Sequence, residues 1–487
     1  MCSLHDREIE KFYCRATTSF SERGLGKTHF GGPKWVFAKE AIYLGVCMIE
    51  KIFKLKEKET SIQREIVAGL TTFAAMAYIL VVNPDILSQA GIDKGSLITV
   101  TALTAVIGSL IMGLMTNFPI VMAPGMGTNS YFAFFICIGM GIPWQHALGM
   151  VFWNGVLFVL LSITGLRNKI VEAIPDALKI GIQCGIGFFI AFIGLKKAGI
   201  IVSAPVILVG GGDILLPSCL LVLGGLFLMT ALTIRRFPGA IILTILLISF
   251  IGMFVSQNGK IITQLPQQLM SWPHGIDKTF LQLDLLYPIK HFHESYPIIL
   301  TLLILGMFDA VGALMGLTRR AGLMSKDGKM PKLSQALVAD ASTTVVGSLL
   351  GTSPAVACIE SATGIEAGGR TGLTSVVVAI CCAVSLFFFP IISEIPSQAT
   401  APALILVGIF MAQGLKQLDF DDILSFSPAF CTMILIPLTS SITKGFGLGM
   451  IFYAVLAILS GRIKKLSVPT LIITLLLASQ FFIEKLR

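Results

Sequence analysis

The stretch Phe118-Pro119-Ile120-Val121-Met122-Ala123-Pro124-Gly125-Met126-Gly127-Thr128-Asn129-Ser130-Tyr131-Phe132 is apolar at both ends and broken in the middle by Pro, Gly and small polar residues. A second stretch, Gly351-Thr352-Ser353-Pro354-Ala355-Val356-Ala357-Cys358-Ile359-Glu360-Ser361-Ala362-Thr363-Gly364, has the same character and the matching place in the other half of the chain. Proline removes a backbone donor and disfavours helix at the residue before it. A lipid-facing helix gains nothing from such breaks. Within a bilayer, non-helical backbone survives only where protein or a water-filled cavity satisfies its polar groups.

The rest of the sequence suits that setting. Of 487 residues, 55% are hydrophobic and 13% charged, with mean hydropathy +0.85, whereas a soluble domain carries about a quarter charged residues. Apolar runs recur near 65–88, 96–116, 118–140, 145–166, 174–200, 214–234 and 238–257. After a polar loop they return near 297–317, 333–351, 353–368, 371–393, 399–416, 424–441 and 445–461, with a last stretch at 467–485. The expectation is an all-α polytopic membrane protein of about 14 transmembrane segments, each about 20 residues long.

Placement of charge explains the net +9 without nucleic acid. Basic residues gather in short loops: Arg167 and Lys169; Arg235 and Arg236; Arg319, Arg320, Lys326, Lys329 and Lys332; Arg462, Lys464 and Lys465. Such loops stay cytoplasmic, which fits the parity of the spans and puts the N-terminus of this multi-pass protein of the cell membrane inside. The C-terminal count is open. Either 467–485 lies in the interface, or Phe426–Ser441, with Pro428 and Pro437, is re-entrant. Met1–Glu40 is polar and lacks the apolar core of a secretory signal. Met48 opens a basic lead-in, Ile49–Lys56, and reads as the natural start, residues 1–47 being an extension or untranslated.

Internal repetition supports two halves. Ile174-Pro175 and the run ending Phe192-Ile193-Gly194-Leu195-Lys196 resemble Ile395-Pro396 and the run ending Met411-Ala412-Gln413-Gly414-Leu415-Lys416. These are spans five and twelve, and the broken segments are spans three and ten. An odd offset of seven turns the second half over, giving inverted repeats of seven plus seven. The division expected is 1–64 as a cytoplasmic N-terminal extension, 65–257 as the first repeat and 258–296 as an extracytoplasmic loop, followed by 297–461 as the second repeat and 462–487 as a C-terminal segment. A matched pair of interrupted segments points to the substrate site of such a transporter.

Three acidic residues fall inside spans: Asp309, Asp340 and Glu360. Holding a carboxylate ionised near the midplane costs at least about 2.5–3.5 kcal/mol, so each is a functional candidate. A carboxyl group there can take up and release a proton near neutral pH. Glu360 follows the break closely and belongs to the first turn of a half-helix, where unpaired N–H groups and the helix dipole favour negative charge. Opposite it, Gly125–Asn129 supplies another half-helix start. Bare N–H groups there can meet a ring nitrogen or carbonyl, and Asn129 offers both donor and acceptor to a flat heterocycle. Asn129 could equally serve only as a helix cap. Asp309 is flanked by Gly306 and Gly312, which permit close helix packing; its bland alternative is an ion pair with Arg370. Asp340 lies nearer the cytoplasmic side and suits pairing with loop cations.

Other chemistry is not supported. The ten cysteines show no metal-ligand or disulfide pattern. His274, His291 and His293 fall in the polar loop, where a pair at i, i+2 without a third ligand is weak metal evidence. No P-loop, H-E-x-x-H or nucleophile elbow occurs. The chain reads as neither an enzyme nor an ATP-driven pump on its own, and needs no cofactor.

Taken together, the motifs resemble the adenine/guanine/hypoxanthine permeases, the AzgA-like branch of the nucleobase–ascorbate (xanthine/uracil permease) superfamily. The resemblance is carried by Arg64–Phe73 with Tyr78-Ile79 and Val82-Asn83-Pro84, then by Ala123–Asn129, Phe308-Asp309, Glu360–Gly364, Gly368–Thr374 and Ala401–Leu404. It covers about Met48 to the C-terminus. It implies a core domain of spans 1–4 and 8–11 moving against a gate domain of spans 5–7 and 12–14. It also implies proton-coupled import of a purine nucleobase at Gly127, Asn129, Asp309 and Glu360. In that scheme Glu360 accepts from the purine N–H edge and Asp309 carries the proton, an exchange of roles staying open. The chain departs from the family pattern at Ser353–Cys358 and after Asp309, where Ala and Val stand in place of hydroxyl residues. The alternatives are a permease for xanthine, uracil or a small anion on the same fold, and a channel or transport-dead sensor. Expected partners are the purine, the proton, the lipid bilayer and, as an open assembly, a second copy in a homodimer.

Overall fold

The computed structural model describes residues 48–164, 174–204, 208–257, 259–266, 268–325, 330–463 and 466–485. Met1–Ile52 forms one unit, of which only 48–52 are described, and Phe53–Arg487 forms the other, treated below. The expectation for 1–47, and the loop cations Arg167, Lys169, Lys326, Lys329, Lys464 and Lys465, fall outside the described residues.

The first span divides into α1 (Ile62–Met76) and α2 (Ile79–Leu87), with Ser61 capping α1 through the Arg64 N–H. Asp93 caps α3 (Lys94–Thr116) by accepting from the Ser96 N–H at 2.9 Å. The chain then runs extended as β1 (Met122–Pro124), forms the short α4 (Met126–Ser130) and continues in wider π-type turns over Tyr131–Gly139. Next come α5 (Trp144–Thr164), α6 (Asp176–Lys197), the hairpin β2 (Ile201–Ala204) and β3 (Leu208–Gly211), α7 (Pro217–Ile234) and α8 (Ala240–Gly252). A small hairpin, β4 (Ser256–Gln257) and β5 (Lys260–Ile261), opens the polar loop.

The second half repeats the plan: α9 (Phe292–Arg320), α10 (Leu333–Leu350), β6 (Ala355–Ala357), α11 (Ser361–Glu366), α12 (Gly372–Ser385), α13 (Ser397–Ala412), α14 (Ile423–Thr439) and α15 (Ile442–Leu459). A last helix, α16 (Val468–Lys485), packs against α15 and α9. Among the described residues, ten helices are long and apolar enough to cross a membrane, and α8 and α14 are shorter apolar helices. The third and tenth places hold the two strand–helix units. Phe426–Ser441 falls within α14 and the left-handed Ser440 that ends it, with Pro428 and Pro437 inside the helix.

Packing sorts these elements into two bodies. Helices α1–α5 pack with α9–α12, and α6–α8 pack with α13–α15. In the second body, α6 and α13 approach through glycine. A Cβ on Gly408 would lie 2.5 Å from the Gly187 carbonyl oxygen, so any larger residue would force these helices apart. The two bodies are the core and the gate.

The two broken segments cross as one antiparallel pair, Met122 opposite Ala357 and Pro124 opposite Ala355. The Gly125 N–H donates to the Pro354 carbonyl at 3.0 Å and the Cys358 N–H to Val121 at 2.8 Å. Two short strands leave their outer edges unpaired, which hydrocarbon does not tolerate. Flanking helices supply the missing partners. Ser109 on α3 bonds both the N–H and the carbonyl of Met122, and Ser375 on α12 donates to Phe118 and Ile120. On the other edge, Thr344 of α10 donates to the Ala355 carbonyl and Asp340 accepts from the Ala357 N–H at 3.2 Å. Ser109 and Thr344 sit on repeat-related helices, spans two and nine, and do the same job for opposite strands.

Candidate functional site

Glu360 directly follows the second extended segment and stands immediately before α11. Its neighbour Ile359 is 66% exposed, and Glu360 itself is half-buried. The Tyr78 hydroxyl donates to Glu360 Oε1 at 2.7 Å. Among the described residues no side chain donates to Oε2. Tyr78 is 1% exposed and lies at the joint between α1 and α2, so its hydroxyl ties the first span to the second break.

Unpaired N–H groups at the start of α11 are not what supports Glu360. The N–H groups of Ser361, Ala362 and Thr363 donate to the carbonyls of Cys358, Ile359 and Glu360 in a tight turn. At α4 the expectation of free donors holds better. Gly125 precedes the helix in extended conformation, and the first N–H to close back is that of Asn129, onto the Gly125 carbonyl at 2.9 Å. The first N–H groups of a helix have no acceptor within it. Gly127 faces the gate: a Cβ there would lie 3.1 Å from Ile186 on α6.

Asn129 is not the cap of α4, whose cap position is Gly125. It belongs to a buried network. Its Nδ2 donates to Asn83 Oδ1 at 3.0 Å and its Oδ1 accepts from Ser130. Asn83 in turn donates to Thr101 at 2.8 Å and Thr352 at 3.2 Å. Ser353 also approaches Asn83 Oδ1 at 3.4 Å. One carboxamide on α2 thereby ties together α3, the first broken segment and the second. A carboxamide has two donors and an acceptor that can take two bonds, and Asn83 uses them all.

Asp309 lies in the middle of α9, the helix that packs against α4, β6 and α11. The half-buried Asp309 has no hydrogen bond or ion pair among the described residues. The alternative pairing with Arg370 is absent, because Arg370 donates to the carbonyls of Ile365 and Gly369, each at 2.7 Å, at the far end of α11. Gly312 does not admit a close neighbour as expected. It faces open space, as does Gly316, and both are exposed on the side of α9 one and two turns beyond Asp309. Phe308 meets the gate, with the Lys179 ammonium 5.7 Å from its ring centroid. Asp340 accepts from the Ala357 N–H of β6.

Three polar residues gain a role only from the fold: Tyr78 and Asn83, which the sequence offers without one, and Glu65, at the start of the first apolar run. Glu65 is buried and accepts from the Arg370 and Thr371 N–H groups and, at 2.6 Å, from the Thr374 hydroxyl, so it fastens the turn that leads into α12, whose cap is Thr371. Its charge near the start of an apolar run was the available signal.

A family model described as a permease family (Xan_ur_permease) matches residues 63–479. A putative permease of Methanocaldococcus jannaschii is 46% identical, over 89% of this chain and 98% of the relative. The adenine permease AdeP of Escherichia coli is 38% identical over 89% of this chain and 95% of the relative. The guanine/hypoxanthine permease PbuO of Bacillus subtilis is 39% identical over 89% and 100%. Among solved structures, the transmembrane domain of a cyanobacterial bicarbonate transporter, BicA, superposes with TM-score 0.59 at 15% identity, over 80% of this chain and 97% of that one. The murine anion transporter Slc26a9 gives 0.58 at 15% identity, over 91% and 75%. These last two share the fold.

Proposed function

The chain belongs to this permease family, and from that premise we propose that it imports purine nucleobases by proton symport, the core carrying base and proton past the gate by alternating access. It is a nucleobase transporter and not an enzyme; adenine, guanine and hypoxanthine are the substrates its relatives' names suggest. The reading rests most on Glu360, one carboxylate oxygen of which is held by Tyr78 beside the crossed strands.

In this reading Tyr78 fixes the carboxylate so that Oε2 accepts an N–H from the edge of the base. A planar heterocycle then lies between core and gate, its acceptors toward the N–H groups at Met126 and Gly127. Gly127 is needed because a side chain would fill the gap before Ile186. Asn129 acts from behind, its amide fixed by Asn83. Asp309 carries the proton: it stands on the adjoining helix without a protein partner among the described residues, next to the glycine face of α9.

Proteoliposomes given radiolabelled adenine, guanine, hypoxanthine or uracil under an imposed pH gradient test this. Purine uptake should saturate, accumulate only with the gradient, and lose most of its dependence on the gradient in Asp309→Asn. Accumulation of uracil in preference to purines, or purine flux indifferent to the gradient in the wild type, overturns the proposal.

A further inference from the structure

Among the described residues, one ion pair joins the two bodies, half a turn along α2 from Asn83. Lys197, the last residue of gate helix α6, places Nζ 2.6 Å from Oδ2 of Asp85 on core helix α2. Thr400, in the first turn of gate helix α13, donates to the same oxygen at 2.9 Å. The side chains of Asp85 and Lys197 are 12% and 14% exposed. A buried ion pair is poor insurance for stability, since desolvating two charges offsets most of their attraction. Its strength lies in direction and reversibility: separated and rehydrated, both charges recover their solvation.

A second buried contact joins core and gate, the hydrogen bond between the Tyr131 and Thr443 hydroxyls. Toward the Arg319-Arg320 end, Gly312 and Gly316 face open space and Ile359 is 66% exposed. The Asp85–Lys197 pair holds core to gate where α2 and α6 finish.

We propose that Asp85, Lys197 and Thr400 form a latch that closes the end remote from the basic loops and must open once in each transport cycle. The latch rests on the alternating-access reading. Neither charge touches the base. Together the three residues set how often the remote end is open, and hence how fast an unloaded carrier can accept substrate there.

The test is labelling of full-length protein in intact cells by a membrane-impermeant maleimide, with the native cysteines replaced and one cysteine placed at Ile186, the buried gate residue facing Gly127. The neutral pair Asp85→Asn with Lys197→Gln should raise the labelling rate about tenfold, within the usual range of coupling between two states. The charge swap Asp85→Lys with Lys197→Asp should bring it back to within about threefold of wild type. Thr400→Val, which keeps both charges, should give a smaller rise and guards against a neutral pair that fails to fold. Unchanged labelling in Thr400→Val and in a neutral pair that elutes as wild type overturns the latch. Because labelling uses no substrate, a rise in labelling in a protein that moves no purine sinks the transport proposal and leaves the latch standing. Purine uptake with unchanged labelling does the reverse.

Discussion

The two broken segments share a sequence plan and cross as partner strands, yet they face different surroundings. The first, through β1 and α4, is buried throughout, and its polar side chains are spent on protein: Thr128 on the Gly125 and Pro354 carbonyls, Ser130 and Asn129 on the Asn83 network. The second buries its strand but leaves Ile359 exposed and Glu360 half-exposed, with one side-chain donor among the described residues. An inverted repeat therefore supplies two similar breaks with unequal duties. One holds its polar groups in a rigid frame, and in the proposed mechanism the other presents Glu360 to the substrate.

Exchanging damage between the segments tests that division most severely. Glu360→Gln keeps the size and the Tyr78 contact but loses the charge that, in the proposed mechanism, receives a purine N–H. Purine uptake should fall at least about a hundredfold, as when a buried polar group loses its ligand partner, while thermal stability in detergent holds. Asn83→Ala should behave oppositely. It leaves the donors and acceptors of Asn129, Thr101 and Thr352 unmatched, which costs about 1–3 kcal/mol, so Tm and folded yield drop and uptake per folded molecule changes much less. If Glu360→Gln unfolds the protein while Asn83→Ala only stops transport, the assignment of roles is inverted.

A finer test concerns Tyr78. Tyr78→Phe keeps the buried ring and removes the hydroxyl, so Glu360 stays but is free to turn. The KM for the base should rise about ten- to a hundredfold, since one hydrogen bond to a charged group contributes about 1.5–3 kcal/mol, with maximal rate per folded transporter within about twofold. A fall in maximal rate with unchanged KM would mean the hydroxyl serves the moving step and not the positioning of the carboxylate.

Much of this arrangement could be read from the chain because breaks in apolar runs are conspicuous. Pro124, Gly125 and Pro354 mark where helix cannot continue, and the acids Asp309 and Glu360 stand out against apolar neighbours. The crossing of the two segments was not legible. It is made by backbone hydrogen bonds between residues far apart in the chain, such as Gly125 with Pro354, and no side-chain pattern specifies them. The same holds for the roles of Tyr78 and Asn83. A tyrosine or an asparagine in an apolar helix shows no face until its neighbours are placed, and their partners Glu360 and Thr352 lie in the other repeat. Asp340 shows a further role that its charge alone did not announce: it serves a strand edge by accepting from the Ala357 N–H.

The smallest effect lies at the foot of the first segment's support. Helix α3, which carries Ser109 to β1, begins with a side-chain cap from Asp93. Helix α10, which carries Thr344 to β6, begins at Lys332 in left-handed conformation with no such cap. The Lys278 ammonium, 2.8 Å away, together with the Ser96 N–H, holds the Asp93 carboxyl down to about 2 from its ordinary 3.8. A group whose acidity is strengthened by folding stabilises the folded state at pH values above its unfolded value and loses that contribution as pH falls through the folded one. The stabilisation is thus intact at neutral pH and fades between about 4 and about 2. Both partners are substantially in water, 29% and 58% exposed, so screening keeps the contribution below about 1 kcal/mol. Asp93→Asn retains a good cap and removes only the charge. Its Tm at neutral pH should lie about 1–2 °C below wild type, and the gap should close as both are titrated from pH 4 to pH 2. A gap that persists at pH 2 would show that Asp93 acts through the cap alone, and that the first repeat owes its firmer support to helix geometry and not to charge.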